Sequence, residues 1–352
     1  TPTPPETPPT AQPAVEQLLS AARQALDHGD HRGARQLAAR AWAQLPDDPE
    51  HRTLRVATLL ELATSAWHGS GDHATLEDAR SLAEQAAALL TTDDDASLVA
   101  SVLSVLAGVL ADQGEPEGLS RAVDLLTDAI RRLQDAGDPL GAAALLDDQA
   151  AVWVRLGDPV RAAHLLRTSR DLFAQRAASE PEARRQLART ELTLARLPLH
   201  ARPRKGLEQE SLQAALTSAR SARDAFQALQ LPQELGRALQ TEGRLLALLD
   251  SPEEAVATLA EAARLQQGMG DALGLAGTAG ALAELHAARG EPGTALKLLS
   301  DSIELNRRAG SALGLAYNRA ALEGLRELGG PAVQRLDAQL EAAQRVVGRR
   351  PR

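Results

Sequence analysis

Apolar positions recur at helical spacing along most of the chain, in blocks separated by short turns that contain glycine and an acidic residue. Around one such turn the positions that share a helical face are Leu282, Leu285 and Ala288 before Gly290, then Ala295, Leu298, Leu299 and Ser302 after it. Because an apolar or small residue every three or four positions places one stripe along a helix, each block predicts a helix–turn–helix unit.

The turns are evenly spaced, which indicates that the unit is repeated. Their markers are Gly29, Gly71, Gly114, Gly157, Asp250, Gly290 and Gly330, with spacings of 42, 43, 43, 93, 40 and 40 residues. We interpret the gap of 93 as two units with a degenerate marker near 200–206. Second helices are then predicted to begin near residues 31, 73, 117, 159, 207, 252, 292 and 331. No such unit can bury its own stripe, so the units must stack.

The residues at each turn explain why one helix ends and the next begins, as in Gly157, Asp158 and Pro159. Glycine adopts the left-handed conformation that closes a helix. Asp, Glu or Ser caps the second helix, and proline fits its first turn. We therefore predict an all-α fold, an α-solenoid superhelix of about eight helix–turn–helix repeats.

Composition supports this fold class, since 70 Ala and 61 Leu stand against 16 Val plus Ile and six aromatic residues. Sheets need β-branched and aromatic residues, so sheet-based enzyme folds are excluded. Interfaces built from Ala and Leu should be closely packed. We expect Ala162→Leu or Ala295→Leu to overpack them and to destabilise the fold.

The turn glycines and the small residues around them resemble those of tetratricopeptide-repeat proteins. The matching triplets are Ala22, Gly29 and Ala34, then Ala150, Gly157 and Ala162, then Ala283, Gly290 and Ala295. Units of 40 to 43 residues resemble the longer-helix subclass found in bacterial regulators and in animal cell-polarity adaptors. The resemblance covers about residues 13–347. It implies a right-handed superhelix whose concave side binds peptides or partner helices.

These observations predict the organisation of the chain. Residues 1–12 form a Pro/Thr-rich tail that cannot pack, 13–347 a single tetratricopeptide-like solenoid, and 348–352 a basic tail. The unit near 181–230 is irregular, because Pro198 and Pro203 break the chain between its helices. The pair at 311–347 is predicted to cap the array, with Arg335 at a position that is elsewhere small.

Charge and termini bear on partners and location. The formal net charge of −9 argues against non-specific nucleic-acid binding, and the absence of cysteine excludes disulfides and thiolate chemistry. No apolar run or leader pattern predicts a membrane span or a signal peptide. We expect a cytoplasmic, bacterial protein that could self-associate. Because the chain starts at Thr1, export after removal of a leader is the alternative to loss of the initiator methionine.

The candidate chemistry is weak. His28, His31, His68 and His73 could suggest a metal site, but we favour ordinary turn residues, since no ligand spacing is matched. Paired aspartates, Asp93–Asp95 and Asp147–Asp148, could suggest a Mg²⁺/diphosphate enzyme. We favour helix capping for Asp93–Asp95, and Asp147–Asp148 lack a second carboxylate one turn on. The glycines from Gly270 to Gly280 lack the lysine and the preceding strand of a phosphate loop. We predict no catalytic residue, no metal and no cofactor.

Two sets of surface residues are candidates for binding. The resemblance places Arg23, Glu61, Asp112, Asp147, Arg155, Glu284 and Tyr317 on the groove face of first helices. A basic patch is predicted from Arg185, Arg189, Arg196, Arg202, Arg204 and Lys205, either as a solvated face, which we favour, or as a site for an acidic or phosphate-bearing partner. Trp42, Trp67 and Trp153 are predicted to pack within the array.

The leading functional hypothesis is a non-catalytic scaffold that binds a peptide or partner protein in the concave groove. The first alternative is a sensor in which a ligand or peptide changes the pitch of the superhelix. The second is an all-α enzyme that uses the paired aspartates.

Overall fold

The computed structural model describes residues 11–69, 73–200, 208–326 and 330–349. Within these ranges the chain forms sixteen α-helices and one 3₁₀ turn, Pro49–His51, with no strand. The helices are α1 Ala11–Asp27, α2 His31–Trp42, α3 Arg52–Gly69, α4 His73–Ala88, α5 Ala96–Gln113, α6 Pro116–Asp135, α7 Pro139–Arg155, α8 Pro159–Ala174, α9 Pro181–His200, α10 Gln209–Ala228, α11 Pro232–Leu248, α12 Pro252–Met269, α13 Ala272–Ala288, α14 Pro292–Ala309, α15 Ala312–Leu325 and α16 Gly330–Arg349.

These helices form eight successive pairs. We call the odd-numbered members first helices and the even-numbered members second helices. The second helices begin at residues 31, 73, 116, 159, 209, 252, 292 and 330, within two residues of every predicted start. The all-α array of about eight helix–turn–helix repeats is therefore confirmed.

The described residues group into two compact units, the first ending at Leu172 and the second beginning at Phe173. The single solenoid from 13 to 347 stays a prediction. The boundaries of the array differ slightly from those expected. Helix α1 begins at Ala11 and α16 continues to Arg349. Residues 1–10 and 350–352 of the predicted tails lie outside the described ranges.

The turn glycines and the capping aspartates have the predicted conformations and hydrogen bonds, with one exception. Gly29, Gly114, Gly157 and Gly290 all have φ between 75° and 81°, where a side chain would be strained. Asp30, Asp138, Asp158 and Asp271 each accept a hydrogen bond from the backbone N–H three residues on. The prediction that glutamate or serine at this position also caps is wrong for Glu115, Ser251 and Glu291, which make no capping bond. The carboxylate of Glu291 accepts instead from His286 and Arg289.

Pro198 also differs from its prediction. It lies inside α9, two residues before the last residue, and so does not break the chain between helices. A proline in the last turn removes only one helical hydrogen bond, so the helix tolerates it there. Pro203 lies outside the described residues.

Alanine fills the closest contacts between helices. The small position near the start of the second helices is completely buried at Ala34, Ala79, Ala122, Ala162, Ala255 and Ala295. The hydroxyls of Ser169 and Ser302 each donate to a backbone carbonyl of the preceding first helix, at 2.9 and 2.7 Å. Such bonds satisfy polar groups that the close packing has removed from water.

One helix, α5, is more apolar than the sequence analysis indicated. By length and composition alone, α5 is long and apolar enough to cross a membrane, and half of that stretch is buried within the fold. Nine of its residues, among them Leu106 and Ala107, are buried. This burial is what a central core helix of the first unit requires.

Candidate binding surface on the first helices

In the first unit, predicted groove residues pair across successive first helices. Arg23 on α1 donates from Nε to Oε1 of Glu61 on α3 at 2.6 Å. The Glu61 side chain is only 9% exposed, whereas that of Arg23 is 60% exposed. The buried acid thus holds an exposed guanidinium in place on the surface of the helices.

A second link joins three first helices. Asp112 on α5 accepts from Nε1 of Trp67 on α3 and from Nη2 of Arg155 on α7, both at 2.7 Å. Asp112 and Arg155 are therefore brought together as the predicted groove face requires. Trp67 packs edge-on above Gly108 of α5, as its predicted packing role implies.

The paired aspartates on α7 have different surroundings. Asp148 is solvent-exposed, yet the protein around it removes enough hydration to raise its pKa to about 6, and a bond from Ser104 opposes this only weakly at 3.4 Å. Asp147 is half-buried beside it. No group of three or more His, Asp or Glu that could hold a metal ion occurs in the described part of the chain.

The other carboxylates of the suggested enzyme have structural partners. Asp94 accepts two hydrogen bonds from the guanidinium of Arg52, at 2.6 and 2.7 Å. Asp95 caps α5 by accepting from the backbone N–H of Ser97 at 2.8 Å. The capping interpretation is therefore confirmed for Asp95, whereas Asp94 serves as an ion-pair partner.

The histidines of the suggested metal site pack as rings. The imidazole of His68 stacks on Trp67 with centroids 4.4 Å apart, and the His31 ring lies 6.0 Å from that of His68. Burial, followed by repulsion from His31, lowers the pKa of His68. The ring therefore favours its neutral, packed form.

In the second unit, the predicted basic patch divides. Arg185 and Arg189 on α9 both approach Oε1 of Glu234 on α11, at 3.5 and 3.2 Å. This acid lies one repeat away and pairs with both arginines. The role of Arg185, Arg189 and Arg196 as a binding patch stays a prediction. Arg202, Arg204 and Lys205 lie outside the described residues.

Arg196 has different neighbours. Its side chain is exposed and makes no ion pair among the described residues. Surrounding protein lowers its pKa by reducing hydration, and repulsion from Arg237 and Arg244 of α11 lowers it further. Arg196 therefore lies near Arg237 and Arg244, and we call these three residues the arginine cluster.

A small cavity of about 140 Å³ lies beside this cluster. It is lined by Leu199, Arg244, Ala247, Leu248, Leu259, Ala281, Glu284, Leu285 and Ala288. Two charged side chains and an otherwise apolar lining suit one aliphatic group next to a charged one. Predicted groove residue Glu284 therefore lies at a cavity.

A larger cavity, of about 370 Å³, lies among α12, α13 and α14. The acid at its edge, Glu304, is held by Arg307 and Arg308 at 2.7 Å. These hydrogen bonds lower the pKa of Glu304 to about 2, so its charge is locally balanced. None of the predicted site residues lines this cavity.

Exposed apolar side chains mark two first helices of the second unit. Leu273 on α13 is 55% exposed, and Leu313 and Tyr317 on α15 are 67% and 53% exposed. Leu273 and Leu313 are both the second residue of their helices, and Tyr317 follows Leu313 by one turn. Sequence analysis identified Tyr317 and missed both leucines, although the repeated strings at 270–276 and 310–316 contain them.

Comparison with known proteins identifies the fold. No family model matches the chain, and no curated protein matches it in sequence. A solved Rap protein complexed with Competence and Sporulation Factor is 15% identical, with 94% of this chain and 87% of that chain covered and a TM-score of 0.63. The apo form of RapI is 12% identical, with 84% and 98% covered and a TM-score of 0.61. Aspartyl phosphate phosphatase F from Bacillus subtilis is 14% identical, with 96% and 85% covered and a TM-score of 0.57.

The chain has a tetratricopeptide-type helical repeat fold. At these identities the likeness extends to the fold alone. Within this tetratricopeptide-type array, the structure pairs Arg23 with Glu61 and Asp112 with Arg155, and it exposes Tyr317. Their role in binding stays a prediction.

Proposed function

We propose that the protein is a non-catalytic interaction scaffold that binds a peptide or a segment of a partner protein along its first helices. The observation that carries this proposal is the exposure of Leu273, Leu313 and Tyr317 on the neighbouring helices α13 and α15. Large apolar side chains grouped on one surface favour a partner that covers them. Tyrosine is also among the residues most often found at the energetic centre of an interface.

Two further observations support a scaffold. A similar fold occurs in the Rap protein that was solved with Competence and Sporulation Factor bound. In addition, Asp94 and Asp95, two of the paired aspartates that the enzyme hypothesis names, are engaged with Arg52 and with the start of α5. These two carboxylates therefore have structural roles in an ion pair and a helix cap.

The test is affinity capture with the intact chain, followed by mass spectrometry and titration of the purified partner. We expect Leu313→Ser combined with Tyr317→Ser to weaken binding of that partner about thirtyfold or more, because apolar anchors at an interface contribute about 2 kcal/mol or more. The matched control is Val160→Ser combined with Val346→Ser, which removes exposed apolar side chains on the second helices α8 and α16.

Circular dichroism should show that both double variants keep the helical fold. Equal binding by the wild type and the Leu313/Tyr317 variant would contradict the proposed surface. Recovery of no partner, with a metabolite co-purifying in stoichiometric amount, would contradict the scaffold function itself.

A further inference from the structure

The arginine cluster places three arginines near one another, and no ion pair supplies an acid to Arg196 or Arg237 among the described residues. Elsewhere in this unit, Arg220 and Arg223 share the buried carboxylate of Glu242, at 2.9 and 2.8 Å. Arg196 and Arg237 are both exposed and make no ion pair among the described residues. This local excess of positive charge occurs in a chain whose formal net charge is −9.

The geometry places the cluster on one surface. Arg237 and Arg244 are seven residues apart on α11, which is about two turns, so their side chains leave the helix in nearly the same direction. Arg196 lies on the first helix α9, which packs against α11, and Leu199, one turn further along α9, lines the same cavity as Arg244. Reduced hydration and then repulsion from Arg237 and Arg244 lower the pKa of Arg196, which agrees with this placement. Arg196 and Arg237, which make no ion pair among the described residues, repel each other at a cost in free energy until an anion compensates them.

The adjacent cavity indicates what kind of anion fits. Leu199, one turn after Arg196 on α9, lines the cavity of about 140 Å³, and Arg244 also contributes to its wall. The remaining lining is alanine and leucine, apart from the carboxylate of Glu284. A free inorganic anion would leave this apolar space empty, whereas a peptide can place an aliphatic side chain there and an acid beside it.

We propose that the face formed by α9 and α11 binds an acidic segment of a protein partner, with carboxylates on Arg196 and Arg237 and a neighbouring aliphatic side chain in the cavity. The planar guanidinium matches a carboxylate through two parallel hydrogen bonds. This inference rests on the proposed function, because it specifies the chemistry of the partner that the scaffold holds.

The experiment uses three fluorescein-labelled peptides of equal length on the full chain. One alternates glutamate with leucine, one glutamine with leucine, and one glutamate with serine. Fluorescence anisotropy should show binding of the glutamate–leucine peptide at least about tenfold tighter than either control peptide, since a hydrogen bond to a charged group contributes about 1.5–3 kcal/mol. The preference over the glutamine peptide should fall as salt is added.

Variants of the protein locate the site. Arg196→Ala combined with Arg237→Ala should weaken binding of the glutamate–leucine peptide about tenfold or more. The matched control is Arg264→Ala combined with Arg345→Ala, which removes the same charge from exposed positions on the second helices α12 and α16. Equal loss in both double variants would indicate attraction to the overall charge only and would overturn the proposal. Equal binding of the glutamate and glutamine peptides would also overturn it.

Failure of this inference is distinguishable from failure of the proposed function. If a captured partner is lost in the Leu313/Tyr317 variant and retained fully in the Arg196/Arg237 variant, the scaffold stands and the acidic-segment proposal falls. If the glutamate–leucine peptide binds at the arginine cluster while no protein partner is captured, the site stands and the scaffold function falls.

Discussion

Trp67 donates its indole Nε1–H to Oδ2 of Asp112 at 2.7 Å, across two first helices that are one repeat apart. The second oxygen of Asp112 accepts from Arg155 of the next repeat. Because each repeat of a stacked array contacts only its neighbours, such a bridge couples three units directly. The bond satisfies the indole N–H, and Gly108 of α5 leaves the space that the ring occupies.

Gly108→Ala tests whether the contact between the Trp67 ring and α5 is tightly packed. A methyl group at Gly108 would meet the six-membered part of the indole, so the ring or α5 must shift. We expect a loss of about 1–3 kcal/mol in the free energy of unfolding, measured by urea denaturation, which exceeds the gain in helix propensity.

Gly293→Ala provides the control for this substitution. No atom lies within 4 Å of the added methyl group at Gly293, which is exposed on α14. There we expect a gain of up to about 1 kcal/mol, because alanine restricts the unfolded chain. A similar gain at Gly108 would show that the Trp67 contact is loose.

Asp94→Asn tests the ion pair that connects α3 to the loop before α5. The Asp94 side chain is 4% exposed, and hydrogen bonds from Arg52, reinforced by Thr91, lower its pKa from 3.8 to about 2. We expect the variant to lose about 2–3 kcal/mol at neutral pH, since a hydrogen-bonded charge is removed. Asp93→Asn, at an exposed neighbour, should change stability by less than about 0.5 kcal/mol.

The pH dependence follows from the direction of this shift. A carboxylate whose folded pKa is depressed stabilises the native state above its unfolded pKa of 3.8, and that stability is lost as the pH falls towards about 2. The difference between wild type and Asp94→Asn should therefore be constant at neutral pH and shrink in acid. A difference that stays constant below the unfolded pKa would contradict the ion-pair explanation.

The stability difference between wild type and Asp148→Asn should depend on pH with the opposite sign to that of Asp94→Asn. The folded pKa of Asp148 is raised from 3.8 to about 6, so ionisation disfavours the native state. Wild type should lose stability relative to the variant as the pH rises from about 4 to about 6, and the two should differ least below that window. The effect should be small, because the side chain is exposed. Parallel melting temperatures across this range would contradict the raised pKa.

The helix pairs could be predicted from sequence because their signals are local. Glycine, an acidic residue and proline lie next to one another at turns such as Gly157–Pro159, and a buried alanine follows five or eight residues after the turn glycine. Helix ends were harder to predict where the residue that marks an end can also occur within a helix. Pro198 looks like a break in sequence but falls in a last turn, where its missing N–H costs little.

The surface residues were predicted less completely, since their partners lie one repeat away. Arg185 and Arg189 share a helical face in sequence, but only the register of α9 against α11 brings Glu234 to them. Arg237 and Arg244 were missed because each stands in a different part of one helix, without a local run of basic residues. Their spacing of seven residues was the available signal.

Ala295→Leu tests the packing that the alanine-rich composition implies. Ala295 is completely buried at the small position of α14, and Ala162 occupies the equivalent position of α8 in the first unit. Leucine adds atoms where helices already touch, so each substitution should destabilise its unit by about 1–3 kcal/mol in thermal or urea unfolding. Ala144→Leu, at an exposed site on α7, adds the same atoms outside the core and should leave stability within about 0.5 kcal/mol. An unchanged melting temperature for Ala295→Leu would mean that the interface has room for larger residues, and that alanine there does not set the distance between the helices.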